Sequence, residues 1–282
     1  MIDLDSLRQP PIRTRLAPTP SGYLHLGNGL SFMYTWLLAR KLGGTVQLRI
    51  DDLDKGRKRR AYMEDIFQTL QWLGLDWDSG PKNAADFESR YSQHLKLDRY
   101  QRALDGLMEN DALYACKCSR KQWKKASQDG LYPNTCRLKK LPFDAQQTAW
   151  RIWVEEEHIR FLDGLKGDIT INVAKQMGDF IVRKKDDLPS YQVGSVVDDL
   201  EVGTTLIVRG EDLLSSSAAQ GYIAQKLGKP SFADIQFLHH PLLLDDSGEK
   251  LSKSEGSPAL FRLREEEKGK KAFFERFRGW TG

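Results

Sequence analysis

No apolar run in the sequence approaches the roughly 20 residues a membrane-spanning helix needs, so a membrane protein is not expected. The first residues, Met-Ile-Asp-Leu-Asp-Ser-Leu-Arg, are charged and lack the apolar core of a secretory leader, which points to the cytoplasm. Cysteine is scarce, with three in 282 residues. An odd, small number in such a chain argues against a disulfide framework. A strong charge of one sign is also missing. Lys and Arg number 43 against 39 Asp and Glu, a net +4, which permits a polyanionic partner without requiring one. No internal repeat and no low-complexity segment is present, which argues against a repeat architecture. What remains is 40% hydrophobic and 29% charged, a globular composition of one large domain or two modest ones.

The most informative stretch is Arg15-Leu-Ala-Pro-Thr-Pro-Ser-Gly-Tyr-Leu-His-Leu-Gly-Asn28. An apolar run at 12–16 reads as a strand before it, and a helical pattern at 29–41 follows. A helix starting there aims its free N–H groups and positive dipole end back at the loop, a ready site for a phosphate. Gly22, Gly27 and Gly29 let backbone approach a bulky ligand. Taken alone, the stretch is equally a plain strand–helix connection with an incidental His25. Residues 45–50 alternate like a second strand and turn into Asp51-Asp-Leu-Asp54, giving a βαβ unit and a parallel sheet. Acids at the carboxyl end of such a strand face the ligand crevice. Asp51, nearest that end, is a candidate for a ligand ammonium; the same acids also suit the start of the next helix.

That helix covers 61–73, with Ile66, Leu70 and Leu73 on one face and Gly74 ending it. A second helix is expected over 91–110, with Leu95, Leu97, Tyr100, Leu104 and Leu107 as its apolar positions. Residues 158–162 and 168–173 read as a hairpin, and 179–184 as another strand. A helix opens near 188, a buried strand covers 204–210 and ends in Arg209, and a further helix runs to Lys226. His239 and His240 point opposite ways in an extended chain, so they read as structural or nucleotide-proximal, not as a metal pair. The tail over 262–282 reads as a charged helix with Phe273, Phe274 and Phe277 as a docking stripe. Basic clusters stand at 55–60, 117–125 and 268–271; each could be a solvated face, and together they suit a nucleic acid.

All three cysteines fall within 116–136, which favours a metal over inert thiols. Zinc takes four ligands in a structural site. Cys116, Cys118 and Cys136 supply three, and no histidine is near, so the fourth is water or Tyr132.

Lys250-Leu-Ser-Lys-Ser254 changes the weight of the first loop. A Pro- and Gly-rich turn with His25-Leu-Gly-Asn28, followed late by Lys-Leu-Ser-Lys-Ser, resembles the paired signatures of class I aminoacyl-tRNA synthetases. Arg-Leu-Ala-Pro-Thr-Pro-Ser-Gly at 15–22, Leu-Arg-Ile-Asp-Asp-Leu-Asp at 48–54 and Trp-Leu-Gly-Leu-Asp-Trp at 72–77 are similar to the glutamyl branch. Only about thirty residues follow Ser254, too few for an anticodon-binding domain. With the three cysteines, the chain resembles the glutamyl-queuosine tRNA(Asp) synthetases.

The resemblance implies an α/β fold. A Rossmann-type parallel-sheet catalytic domain is expected in two halves, 1–73 and 174–255. Between them lies an inserted zinc-binding subdomain at 74–173, and a helical tail occupies 256–282. It implies activation of L-glutamate by ATP without tRNA, then transfer to queuosine at the wobble position of tRNA(Asp), whose anticodon stem-loop is the partner. The alternatives are a truncated glutamyl-tRNA synthetase charging the 3′ end, or a non-catalytic RNA-binding module. By the same resemblance, His25, Lys250 and Lys253 are catalytic, and His25, Gly27, Asn28 and Lys253 hold ATP with Mg2+. Arg15, Leu16, Ala17, Pro18, Thr19, Asp51, Tyr191 and Arg209 hold glutamate, Asp51 standing where the family usually has Glu. Cys116, Cys118, Tyr132 and Cys136 hold zinc. No association patch is evident, which favours a monomer. The chemistry agrees: carboxylate attack on the α-phosphorus needs positioning and fixed positive charge more than covalent help, and an arginine fork reads a carboxylate with two parallel hydrogen bonds.

Overall fold

A computed structural model describes residues 11–127, 129–242 and 259–281. The chain opens with β1 (Arg13–Leu16), α1 (Leu26–Lys41) and β2 (Thr45–Leu48). β1 and β2 pair in parallel, Arg13 opposite Thr45 through Leu16 opposite Leu48, with α1 as the crossover. The helix begins three residues earlier than the apolar pattern predicts, because the Asn28 side chain turns back to accept the His25 amide at 3.1 Å. α2 (Arg60–Leu73) follows and stops at Gly74, whose φ of 77° lies in the left-handed region that glycine tolerates. Leu16, Leu30, Leu48, Ile66 and Leu70 form one continuous core beneath these elements.

The second expected helix is broken. Residues 87–96 form irregular π and 3-10 turns, and α3 proper is Leu97–Glu109. Ser92 Oγ (2.7 Å) and the Gln93 amide (2.8 Å) both donate to Asp52, which pulls the backbone out of helical geometry. Leu95, expected on the apolar face, is consequently 56% exposed.

Then come β3 (Leu113–Cys116), α4 (Arg120–Ala126), β4 (Ala149–Ile152), β5 (His158–Asp163), β6 (Gly167–Asn172) and β7 (Ile181–Arg183). α5 (Tyr191–Glu201), β8 (Leu206–Gly210), α6 (Leu214–Lys226) and β9 (Gln236–His240) complete the second half. β8 and β9 are parallel, Leu206 opposite Gln236 through Gly210 opposite His240. The Thr205 amide donates to the Arg13 carbonyl at 2.9 Å, so β8 lies beside β1 and the two parallel pairs stand next to each other.

Sheet membership departs from a boundary at 173. The β5–β6 hairpin joins β9, Asp163 opposite Phe237, and so belongs with the second parallel pair. β7, beyond that boundary, pairs antiparallel with β4 in the sheet that carries the cysteines. Phe161 and Phe237 share one core and Asp163 bonds to His239, which together draw the hairpin to β9.

The tail forms two helices where one was expected, α7 (Leu260–Glu265) and α8 (Gly269–Thr281). A Cβ at Gly269 would lie 1.7 Å from the Leu263 carbonyl oxygen, so the turn between them requires glycine. Phe273 is fully buried and Phe277 nearly so, the docking the apolar stripe predicts. Their seat is α1, packed so closely that a Cβ at Gly29 would meet Leu260 at 2.8 Å and Phe273 at 2.9 Å. Among the described residues no helix is long and apolar enough to cross a membrane.

Candidate active site

A cavity of about 400 Å3 opens where the carboxyl ends of β1 and β8 meet the first turn of α1. Arg15, Ala17, Tyr191 and Arg209 line it on one side, and His25, Gly27, Asn28 and Ser31 on the other. His25 is the residue before the first turn of α1, so the free N–H groups of that turn face the same space.

The two arginines are each 5% exposed and each is tied from behind. Arg209 Nη2 donates to Ser217 Oγ at 2.6 Å and to Gln220 Oε1 at 2.8 Å, while Nη1 reaches the Tyr191 hydroxyl at 3.4 Å. Burial pulls its pKa below the ordinary arginine value. Arg15 Nε donates to Asp199 Oδ1 at 3.1 Å. Asp199 Oδ1 also accepts from Arg49 Nη1 at 2.7 Å, and Arg49 holds Asp51 through both carboxylate oxygens, at 2.8 and 3.4 Å. The result is a buried chain Arg15–Asp199–Arg49–Asp51. Burial would raise the Asp199 pKa, but Arg49 and Arg15 outweigh it and hold the carboxyl below its ordinary range. For Asp51 burial wins over Arg49, and the pKa rises to about 6.

Asp51 does not line the arginine cavity. It borders an adjoining one of about 320 Å3, with Thr19, Asp54 and Lys184, and Tyr191 forms the wall common to both. Within residues 15–19 the alternation of the strand end divides the work: Arg15 and Ala17 face the first cavity and Thr19 the second. Leu16 and Pro18 line neither; Leu16 is buried in the core, and their carbonyls accept the Arg49 and Asp51 amides, each at 2.9 Å. Lys250 and Lys253 lie outside the described residues. The described chain on either side of them touches the site: Leu242 lines the arginine cavity and Ala259 pairs with His25.

Several site residues escape a reading by motif. Asp199 and Arg49 are the clearest. Val-Val-Asp-Asp at 196–199 puts acids in an apolar helical stretch, a sign of buried pairing that could have been noticed. His239 and His240 do diverge. His239 Nδ1 meets Asp163 at 2.6 Å, whereas His240 Nε2 meets Ser31 Oγ at 2.9 Å on the cavity wall.

The cysteines form a separate cluster. The sulfurs of Cys116, Cys118 and Cys136 all lie within 4.8 Å of one another, and Cys118 and Cys136 are 3.6 Å apart. The Tyr132 hydroxyl is 3.2 Å from Cys116 Sγ and 3.5 Å from Cys118 Sγ. A tetrahedron with zinc–sulfur bonds of about 2.3 Å has edges of about 3.8 Å between sulfurs, and about 3.5 Å from sulfur to oxygen. The four groups therefore fit zinc in size and chemistry. Burial would raise the Cys136 pKa, yet hydrogen bonds from Tyr132 and the Lys117 backbone bring it down to about 7. Burial and the neighbouring thiols raise the Tyr132 pKa, a direction that a dication among them would oppose.

Residues 11–281 match the family described as tRNA synthetases class I (E and Q), catalytic domain. The chain is 40% identical over 266 residues to a glutamyl-Q tRNA(Asp) synthetase of Nitratidesulfovibrio vulgaris, covering 90% of this chain and 81% of that one. It is 37% identical over 246 residues to the protein of that name from Pseudomonas fluorescens, covering 87% and 77%. Among solved structures it is similar to a glutamate tRNA ligase of Elizabethkingia meningosepticum in complex with its amino acid. There the TM-score is 0.72 at 26% identity, over 88% of this chain and 53% of the other.

Proposed function

Since the chain belongs to the class I tRNA synthetase family of glutamate and glutamine catalytic domains, we propose that it activates L-glutamate with ATP and transfers it to queuosine at the wobble position of tRNA(Asp). Activation precedes and does not need the tRNA. The observation that carries this reading is the shared cavity, in which two buried arginines and Tyr191 face the first turn of α1. Arg15 and Arg209 read the side-chain carboxylate of glutamate; glutamine offers no anion to meet the buried fork of Arg209, which Ser217, Gln220 and Tyr191 hold with neutral groups. Tyr191 supplies a hydroxyl contact, Thr19 a polar one beside Asp51, and Asp51 takes the ammonium. Ala17 leaves room, while Leu16 and Pro18 act through the backbone that carries their neighbours. Gly27 and Asn28 let the triphosphate settle on the N-terminus of α1, where His25 contacts it, with Mg2+ as the nucleotide's counter-ion. Lys250 and Lys253 neutralise the leaving pyrophosphate; Leu242 and Ala259, beside the cavity, support their arrival there.

Two halves of a nucleotide-binding domain make up the reacting part, and the β3–β4–β7 sheet with its cysteines is the inserted unit. Zinc held by Cys116, Cys118, Tyr132 and Cys136 stiffens that unit. The substrates suit a cytoplasmic enzyme that acts on the anticodon stem-loop, and it works as a monomer in this reading.

Glutamate-dependent exchange of pyrophosphate into ATP without tRNA tests the first step; its absence defeats activation. Labelling of tRNA(Asp) with and without queuosine tests the second. Equal labelling of both makes the tRNA 3′ end the acceptor and defeats the queuosine reading. RNA binding with no exchange indicates a non-catalytic module.

A further inference from the structure

Arg209 is aimed by groups that lie well behind the cavity. Asp163 closes β5 and is 1% exposed. Its Oδ1 accepts the Leu165 amide at 2.9 Å and the Lys166 amide at 3.0 Å, which fixes the β5–β6 turn. Its Oδ2 accepts the His239 amide at 3.0 Å and meets His239 Nδ1 at 2.6 Å. An ionised carboxylate only accepts, so the ring proton sits on Nδ1. Burial lowers the His239 pKa, which keeps the ring neutral and leaves Nε2 as an acceptor. Ser217 Oγ lies 2.7 Å from that nitrogen. The hydroxyl has one hydrogen, and its other candidate acceptor, the Leu213 carbonyl, is farther at 3.2 Å. With the hydrogen committed to His239, the oxygen presents its lone pairs to Arg209 Nη2 at 2.6 Å.

We infer that Asp163, His239 and Ser217 form a buried positioning chain that fixes the guanidinium fork of Arg209, so that the β5–β6 hairpin sets affinity for an acidic amino acid. None of the three lines the arginine cavity, so none is a catalytic residue. The chain orients a cation whose other nitrogen reaches Tyr191 and the cavity. A fork held at one nitrogen by Ser217 and Gln220 cannot swing away from a carboxylate to satisfy itself elsewhere. The inference rests on the glutamate reading above.

The test is exchange kinetics in Ser217→Ala, a change that removes one buried oxygen and adds no bulk. The KM for glutamate is expected to rise about tenfold, the loss of one hydrogen bond to a charged group. The KM for ATP stays within twofold, and Ser217→Thr recovers most of the glutamate affinity. If Ser217→Ala does not fold, the same split is read from Ser217→Cys, whose thiol is the weaker acceptor. Thermal melting of each variant separates loosening of the fold from loss of aim. An unmoved glutamate KM, or glutamate and ATP KM rising together, overturns the inference alone. Absence of glutamate-dependent exchange in the unmodified protein removes the glutamate reading, and this inference with it.

Discussion

Asp51, the proposed ammonium contact, has both of its carboxylate oxygens engaged by Arg49. An ammonium contact must therefore compete with, or add to, a buried arginine. The pKa of about 6 sets the pH range in which Asp51 can serve. Because burial has raised it, the carboxylate form is lost as pH falls through 6, and kcat/KM for glutamate should be level above about pH 7 and fall about tenfold per unit below 6. Asp51→Asn should lower the plateau and abolish that limb; a limb that survives the substitution belongs to another group. The same upward shift acts on stability in the opposite direction. The protonated side chain stabilises the fold below the unfolded value of about 4, and that contribution disappears as pH rises through 6. Asp199 has the opposite sense. Its depressed pKa favours the anion, the common partner of Arg15 and Arg49. Asp199→Ala leaves two buried cations with one fewer counter-charge and should cost about 3–5 kcal/mol in urea unfolding. A loss under 1 kcal/mol would mean that water reaches these arginines.

Elements were legible in the sequence where one local cause dominates. The strand–loop–helix turn at Arg15–Asn28 announces itself through proline, glycine and apolar period, and the β5–β6 hairpin through alternation about Gly164 and Gly167; both formed as expected. Elements were illegible where a distant group overrides the local pattern. Asp52 breaks the helix before Leu97, and no window around Leu95 contains that information. The turn at Gly269 depends on an approach to Leu263 that composition alone does not reveal. The residues lining the cavity were expected from a family resemblance, whereas Arg49 and Asp199, 150 positions apart, become partners only through the fold. The cysteine unit offers an elemental test, because its strands pair within their own sheet and its cluster does not line the arginine cavity. Cys136→Ser, or a strong chelator, should release zinc and loosen residues 116–136 in near-UV dichroism and hydrogen exchange. Glutamate KM should change less than threefold. Loss of glutamate binding with the remaining fold intact would contradict this separation.

Three cavities of the described chain share walls. Tyr191 separates the arginine cavity from the one beside Asp51, and Lys184 separates that one from a larger cavity of about 740 Å3 next to the cysteines. Arg120, Trp123, Arg151 and Lys185 line the large one, so cationic and aromatic side chains lead from the cysteine sheet towards the cavity that holds Arg15 and Arg209. Net charge of +4 gives this chain little long-range pull on RNA; affinity has to come from such local placement. An extruded base can stack on the accessible edge of a half-buried aromatic such as Trp123 while nearby cations meet its phosphates. Arg120→Glu with Lys185→Glu should therefore raise the KM for tRNA at least tenfold and flatten the dependence of transfer on salt by about one to two counterions. Pyrophosphate exchange with glutamate, measured without RNA, should be unchanged, because neither residue lines the arginine cavity. Exchange and transfer declining in parallel would mean that the substitutions damage the scaffold, and unchanged transfer would mean that the RNA approaches over another face.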